Sequence, residues 1–352
     1  MGLVRFIVRR LILMVLTLFV LTLTVFYTSS FFSPLERAAM FVSRFDVDPQ
    51  QVNLAELAES LHLSSDPFYV QYLDWLRLSL FTGKLGYSSH FYGFVFDVIL
   101  RYFPPTIELV MFSAPIVIFG GIKIGTYSAK RAYQKRGRED LPDSTIRAFT
   151  TLAYSMPLFF TGLLSLSIFF LNLRWFAPER VGSAAGNFIT LGSWNSYTGM
   201  YTIDALLNGQ LWIFFDALRH LVLPVATLTI AMLPVVVKIT RSSMLGEYNR
   251  SYVMVARAKG LKEVEVVSRV KRNAMISILT VTSILFGYML TGIVVTEHVF
   301  AWGGLGTLSI NAVKYSDFAL IAGLSVVFCF MFVAINLLVD VIYTYIDPRI
   351  KL

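Results

Sequence analysis

Residues 262 to 296 read KEVEVVSRVKRNAMISILTVTSILFGYMLTGIVVT, and this stretch decides the fold. Its first twelve residues carry six charges, and the 23 from Ala274 to Thr296 carry none. About 20 such residues, wound as a helix, cross the roughly 30 Å hydrocarbon core of a bilayer with every backbone polar group satisfied internally. Five more runs read the same way, at about 11 to 32, 106 to 128, 148 to 173, 220 to 240 and 318 to 346. The expected fold is therefore all-α, a polytopic membrane bundle of six transmembrane helices. In the second run Glu108 and Lys123 leave only Leu109 to Ile122 uncharged, and both are expected to snorkel toward opposite interfaces. The first run follows Arg5, Arg9 and Arg10 like a signal peptide. It is too long for an h-region and lacks an A-x-A exit, so a retained anchor is expected. Met156 and Pro157 mark a kink in the third.

Composition agrees. Of 352 residues, 56% are hydrophobic and only 15% charged, with a net charge of +8 and a mean hydropathy of +0.66. A typical soluble domain is about a quarter charged, so disorder, collagen, a disulfide scaffold and a wholly water-soluble chain are excluded. A nucleic-acid partner requires basic residues gathered on one water-exposed face, and here they fall in short blocks between apolar runs. The single cysteine, Cys329, excludes an intramolecular disulfide and a cysteine metal site.

Basic residues are retained on the cytoplasmic side, which fixes orientation. Segments 1–10, 129–147, 238–273 and 347–352 hold 20 Lys or Arg in 71 residues, against nine in the 141 residues of 33–105, 173–219 and 297–317. Both termini are thus expected in the cytoplasm. Residues 1–105 then form one span and a long external segment, and 106–352 a core of five spans with a cytoplasmic loop at about 238–273. Within the external segment, FYVQYLDWLRLSLFT at 68–82 spaces Tyr69, Tyr72, Leu73, Leu76 and Leu80 by three and four, predicting a surface helix with one apolar face. Residues 177–210, rich in Gly, Ser, Asn and Thr, read as an irregular external loop.

Catalytic signatures are missing from the sequence. No GxxxxGK[ST] occurs; GGIKIGT at 120–126 lacks the lysine that a phosphate-cradling loop requires. His62, His90, His220 and His298 are scattered and none lies in HExxH. No catalytic residue, metal ligand or bound cofactor is expected, and any ATP must be bound by another chain.

The loop 238–273, KITRSSMLGEYNRSYVMVARAKGLKEVEVVSRVKRN, reads as helix, glycine break, helix. Tyr252 to Lys259 are adequate helix formers, Gly260 supplies a backbone position able to take positive φ, and Val264, Val267 and Val270 recur three apart beyond it. Glu265 and Arg269 make an i,i+4 pair. Such a pair of helices suits docking into a partner's groove; the other reading is a solvated cytoplasmic face that fixes orientation.

YVMVARAKGL at 252–261 resembles the coupling-loop motif of permease subunits in ABC importers of the dipeptide and oligopeptide type. Further likenesses run in order along the chain: IVRRLI (7–12), QYLDWLRLSLFTGKLGYS (71–88), FPPTIEL (103–109), SMPLFFTG (155–162), LPVAT (223–227), TRSSML (240–245), VTEHVFAWGGLG (295–306) and LVDVIYTYIDPRI (338–350). There are departures. Where the broader importer motif begins Glu-Ala-Ala, this chain has Met254, Val255 and Ala256, and Arg272 and Asn273 stand where it ends in Leu-Pro. The family's aromatic-Pro-Gly turn reads Trp302, Gly303, Gly304, followed by Gly306, which is expected to loosen that external turn.

The resemblance implies a type I importer fold and a subunit of the inner membrane of a prokaryote. Its implied partners are a second, non-identical permease, two cytoplasmic ATPases that bind ATP and Mg, and an external substrate-binding protein. Tyr252, Ala256, Arg257, Ala258, Lys259, Gly260 and Leu261 would form the coupling contact, with Arg257 and Lys259 pairing to acidic groups on the ATPase. The implied substrate is a di- or oligopeptide, with oligosaccharides and metal chelates as alternatives. Ionisable or polar groups inside spans mark either a path or a packing contact, and here they are Glu108, Glu297, Asn336 and Asp340. Asn336 and Asp340 share one helical face; Glu108 and Glu297 are expected near the outer interface, where charge costs little. A self-sufficient secondary transporter or channel is the reading from a different class. It calls for mid-bilayer charges and an internal repeat, neither of which the sequence offers.

Overall fold

A computed structural model describes residues 3–44, 52–63, 65–135, 140–192 and 194–346, with the side chains of 3–7, 10, 43–44, 80 and 340–346 outside the description. Five helices are long and apolar enough to cross a membrane: Leu11–Ser29, Val95–Gln134, Leu211–Tyr248, Glu263–Val299 and Phe318–Val339. A broken pair among the described residues, Leu141–Ser155 and Leu158–Asn172, bent by 99°, makes a sixth where the two halves count as one span. The break falls at Met156 and Pro157, as expected. Pro157 drives the residue before it out of the helical region, and Met156 sits at φ −81°, ψ 126°.

The membrane helices outrun the sequence-based bounds. Leu211–Tyr248 has 38 residues and Glu263–Val299 has 37, each about 55 Å long at 1.5 Å per residue and therefore well beyond the hydrocarbon core. Most of the segment read as the loop 238–273 is thus helical extension. Nothing breaks the first helix before Asn249, and the second starts at Glu263, so only residues 249–262 lie between them. Val95–Gln134 likewise begins before the expected boundary, and its middle, Ile116–Gly120, is a π-helical segment.

Packing groups the residues into two compact units. The first comprises Met1–Thr106, Gly303–Ala334 and Lys351–Leu352. In it the predicted surface helix appears as Phe68–Thr82, ending in Gly83 at φ +67°. Its buried face differs from the expected stripe. Gln71, Tyr72 and Trp75 point inward while Tyr69 and Leu73 are exposed; Leu80's side chain lies outside the described residues. Aromatic packing sets the rotation: the Phe26 ring stands 5.6 Å from both Tyr72 and Trp75 and 5.7 Å from Phe68. Polar needs reinforce it, since buried Arg37 donates to Gln71 Oε1 and to the Leu63 carbonyl, both at 2.6 Å.

The second unit comprises Ile107–Trp302 and Ile335–Ile350. Its helices meet closely because of two glycines. A Cβ on Gly121 would lie 2.6 Å from Val236 Cβ, and one on Gly125 2.6 Å from Thr240 Cβ. The GGIKIGT segment, which lacks the phosphate-loop lysine, thus serves the packing of Gly121–Gln134 on Leu211–Tyr248. Residues 177–210, read as irregular, contain two helices, Ser183–Leu191 and Tyr201–Leu207. They form because Ala185 and Ala205 join Val181, Ile213 and Ala217 in a small apolar cluster, and because buried Asp204 collects the Thr198 and Gly199 amides at 2.8 and 2.9 Å.

Candidate functional site

The segment between the two longest membrane helices folds as the helix Ser251–Ala258, then Gly260, then the start of Glu263–Val299. Gly260 takes φ +77°, and nothing lies within 4 Å of where its Cβ would be, so backbone conformation and not crowding selects glycine here. The Lys262 amide donates to Glu265 Oε2 at 3.1 Å, closing the first turn of the next helix. Glu265 serves as a cap, and the i,i+4 pair with Arg269 is not among the ion pairs of the described residues.

One side of the short helix is fastened to the bundle. Val253 and Ala256 are buried in a cluster with Val236, Met244 and Tyr248 of one long helix and Val266, Val270, Ala274 and Ile278 of the next. The inward valines of the second helix are therefore Val266 and Val270, while Val264 is 76% exposed. Of the expected stripe Val264, Val267 and Val270, Val270 is buried and Val267 packs against the cluster, so the expectation fails at Val264, where Val266 takes the inward place. Tyr252 is half-buried. It donates to Glu247 Oε2 at 2.9 Å, and burial above all pushes its phenol pKa up.

The other side is open. Met254, Val255, Ala258, Lys259 and Gly260 are exposed, which makes a small apolar surface with one ammonium at its edge, and Leu261 is half-buried. Arg257 does not share this freedom. Its Nη2 donates to Glu263 Oε1 at 2.7 Å and its Nη1 to Tyr133 Oη at 2.8 Å, and the Glu263 hydrogen bond raises its pKa. Of the two cations expected to face a partner, Lys259 is exposed and Arg257 is engaged inside the chain.

Nearby, Asp143 ties the broken pair to the long helix. It accepts from Arg241 Nε and Nη2, both at 2.8 Å, from Arg147 at 3.2 Å and from Ser128 Oγ. Sequence reasoning missed this node. The signal available was an acid four residues before Arg147 in a basic segment.

The intramembrane acids separate. Glu108 is 1% exposed; its carboxylate accepts from Arg180 Nη2 at 2.8 Å and from the Thr202 amide and hydroxyl at 2.8 and 2.7 Å. A buried carboxylate requires this partnership, so Glu108 belongs to a packing network. Glu297 is also buried. Asn336 is half-buried in Phe318–Ile346, and the side chain of Asp340 lies outside the described residues. At the turn expected to be external, Trp302 is buried, its amide donating to the Glu297 carbonyl at 2.8 Å, and Gly303 takes φ +71°. Proline cannot adopt that φ, so this turn has a course of its own. Gly304 then caps the helix Leu305–Lys314, whose second residue is the buried Gly306.

Residues 121–352 match the family model described as binding-protein-dependent transport system inner membrane component. The chain is 36% identical over 308 residues to the di/tripeptide transport system permease protein DppB of Pseudomonas aeruginosa, covering 87% of this chain and 86% of the relative. It is 32% identical to the dipeptide transport system permease protein DppB of Escherichia coli K12, covering 84% and 85%. To the oligopeptide transport system permease protein AppB of Bacillus subtilis it is 30% identical, covering 87% and 88%.

Proposed function

Because the chain belongs to the family of inner membrane components of binding-protein-dependent transport systems, we propose that it is one of two non-identical permease subunits of an ATP-driven importer of di- or oligopeptides. Two cytoplasmic ATPases bind ATP and Mg, one of them docking on this chain's short helix Ser251–Ala258, and an external binding protein delivers substrate. The chain itself holds no cofactor, and both of its termini lie in the cytoplasm of a prokaryote.

The observation that carries this reading is the two-sidedness of the short helix. Val253 and Ala256 are rooted in the core shared by the two longest membrane helices, while Met254, Val255, Ala258 and Lys259 face outward. A partner closing on the outer side would move both membrane helices together, because interfaces and packed cores shift as bodies. Contacts that differ between the open and closed ATPases then bias alternating access between the two permeases. Exposed ion pairs such as one at Lys259 contribute under about 1 kcal/mol. The apolar side chains therefore supply most of the docking.

The test is affinity purification in mild detergent followed by mass spectrometry, then reconstitution with the binding protein and a labelled dipeptide. Recovery of a second permease with two ATPases, and ATP-dependent dipeptide uptake, is the expected result. A stable, monodisperse chain that transports alone would overturn it in favour of a self-sufficient transporter.

A further inference from the structure

The short helix Ser251–Ala258 is joined through the chain to two membrane helices, Leu211–Tyr248 and Glu263–Val299, and it is joined to a third by side chains. Arg257 reaches Tyr133 in the last turn of Gly121–Gln134, donating Nη1 to the phenol oxygen at 2.8 Å with its guanidinium carbon 4.9 Å from the ring centroid. The same guanidinium holds Glu263 at 2.7 Å through Nη2 and 3.3 Å through Nε. Tyr133 in turn stacks on Tyr248 at 4.4 Å with 12° between the rings. One planar fork thus touches the helix that follows the glycine elbow and the end of a different span, an arrangement a lysine ammonium does not reproduce.

That span has a distant far end. Tyr133 lies in the stretch Val95–Gln134, which also carries Glu108, and the 25-residue separation corresponds to roughly 38 Å of helix. Glu108 is where Arg180 and Thr202 of the 177–210 segment converge. Between the two ends lies the π-helical turn Ile116–Gly120, a local departure from α geometry at which a helix can change its winding. Directly after it, Gly121 and Gly125 lie against Val236 and Thr240.

We propose that Arg257 and Tyr133 form a clasp that makes Val95–Gln134 a second transmission element, carrying movement of the short helix to the Glu108–Arg180 network at its other end. This rests on the coupling reading above. Arg257 is in this view a positioning residue. It acts by keeping Tyr133 and Glu263 in one body with the short helix.

The test uses the complete importer in proteoliposomes and reads substrate taken up per ATP hydrolysed. Tyr133→Phe removes one hydroxyl and keeps the stacked ring; it is expected to lower that ratio about threefold, the size of one hydrogen bond. Arg257→Gln removes the charged fork and is expected to lower the ratio about tenfold. The double variant should match Arg257→Gln alone, since both act through one contact. Arg257→Lys should stay well below wild type, because charge without the fork does not hold both partners. Wild-type ratios in both single variants, effects that multiply in the double variant, or full rescue by lysine would each overturn the clasp. If Arg257→Gln fails to assemble, Tyr133→Phe carries the test unaided. Absence of any ATPase from the wild-type complex would instead sink the coupling reading, so the two failures are distinguishable.

Discussion

Glu108 and Arg180 stand 72 residues apart in the sequence, and Arg180 Nη2 lies 2.8 Å from Glu108 Oε2. The guanidinium also stacks over the Tyr201 ring at 3.8 Å and donates to the Gly199 carbonyl, so one arginine organises the start of the helix Tyr201–Leu207. Removing the acid leaves a cation whose side chain is only 13% exposed. Breaking a pair of this kind costs about 3 kcal/mol or more. Glu108→Ala should therefore lower the thermal unfolding midpoint of the purified complex by several degrees while the substrate profile stays the same. A normal midpoint with an altered profile would move Glu108 from packing to the translocation path.

Two arginines contact Asp143 and should differ sharply in weight. Arg241 is bidentate and its side chain is 24% exposed, whereas Arg147 makes a single contact and is 55% exposed. Arg147→Ala is expected to cost under about 1 kcal/mol, in keeping with exposed helix pairs. Arg241→Ala strips the buried Asp143 carboxylate of the bidentate partner that ties Leu141–Ser155 to Leu211–Tyr248, and about 3 kcal/mol is expected. Denaturation of the two variants side by side measures the difference, and equal losses would contradict this ranking.

The approximate positions of the membrane helices and the glycine elbow were legible in the sequence because each depends on local composition. Uncharged runs declare spans, Pro157 declares a break, and Gly260 between helix formers declares a turn. Facing was less legible. The stripe at 68–82 was misrotated because an aromatic cluster around Phe26 sets its rotation, and the stripe at 264–270 was off at Val264 because Val266 enters the core shared with Val253; both determinants are long-range. The partners of Glu108 and Arg257 were hidden for the same reason: Arg180 sits in a segment of turn-like composition, and Tyr133 reads as one aromatic among many.

Gly260 holds φ +77° in open space, so substitutions there report backbone strain with no confounding clash. Alanine in the left-handed region costs about 1 kcal/mol, and proline, fixed near −65°, cannot enter it. Gly260→Ala should leave assembly intact and reduce substrate-stimulated ATP hydrolysis modestly. Gly260→Pro should abolish the stimulation while the chain still inserts. Normal stimulation in the proline variant would separate the elbow from coupling.

Orientation is open to a direct chemical check. On the charge asymmetry, Ser251 is expected in the cytoplasm and Asn187, in the sparsely charged 173–219, outside; both residues are exposed. Cys329 is the chain's only cysteine, so Cys329→Ala provides a thiol-free background. Against it, Asn187→Cys should react in intact cells with a membrane-impermeant maleimide, and Ser251→Cys only after the membrane is opened. The two sites lie toward opposite ends of the 38-residue helix Leu211–Tyr248, which is long and apolar enough to cross a membrane. Labelling of Ser251→Cys in intact cells would reverse the topology and remove the short helix from the side on which ATP is available.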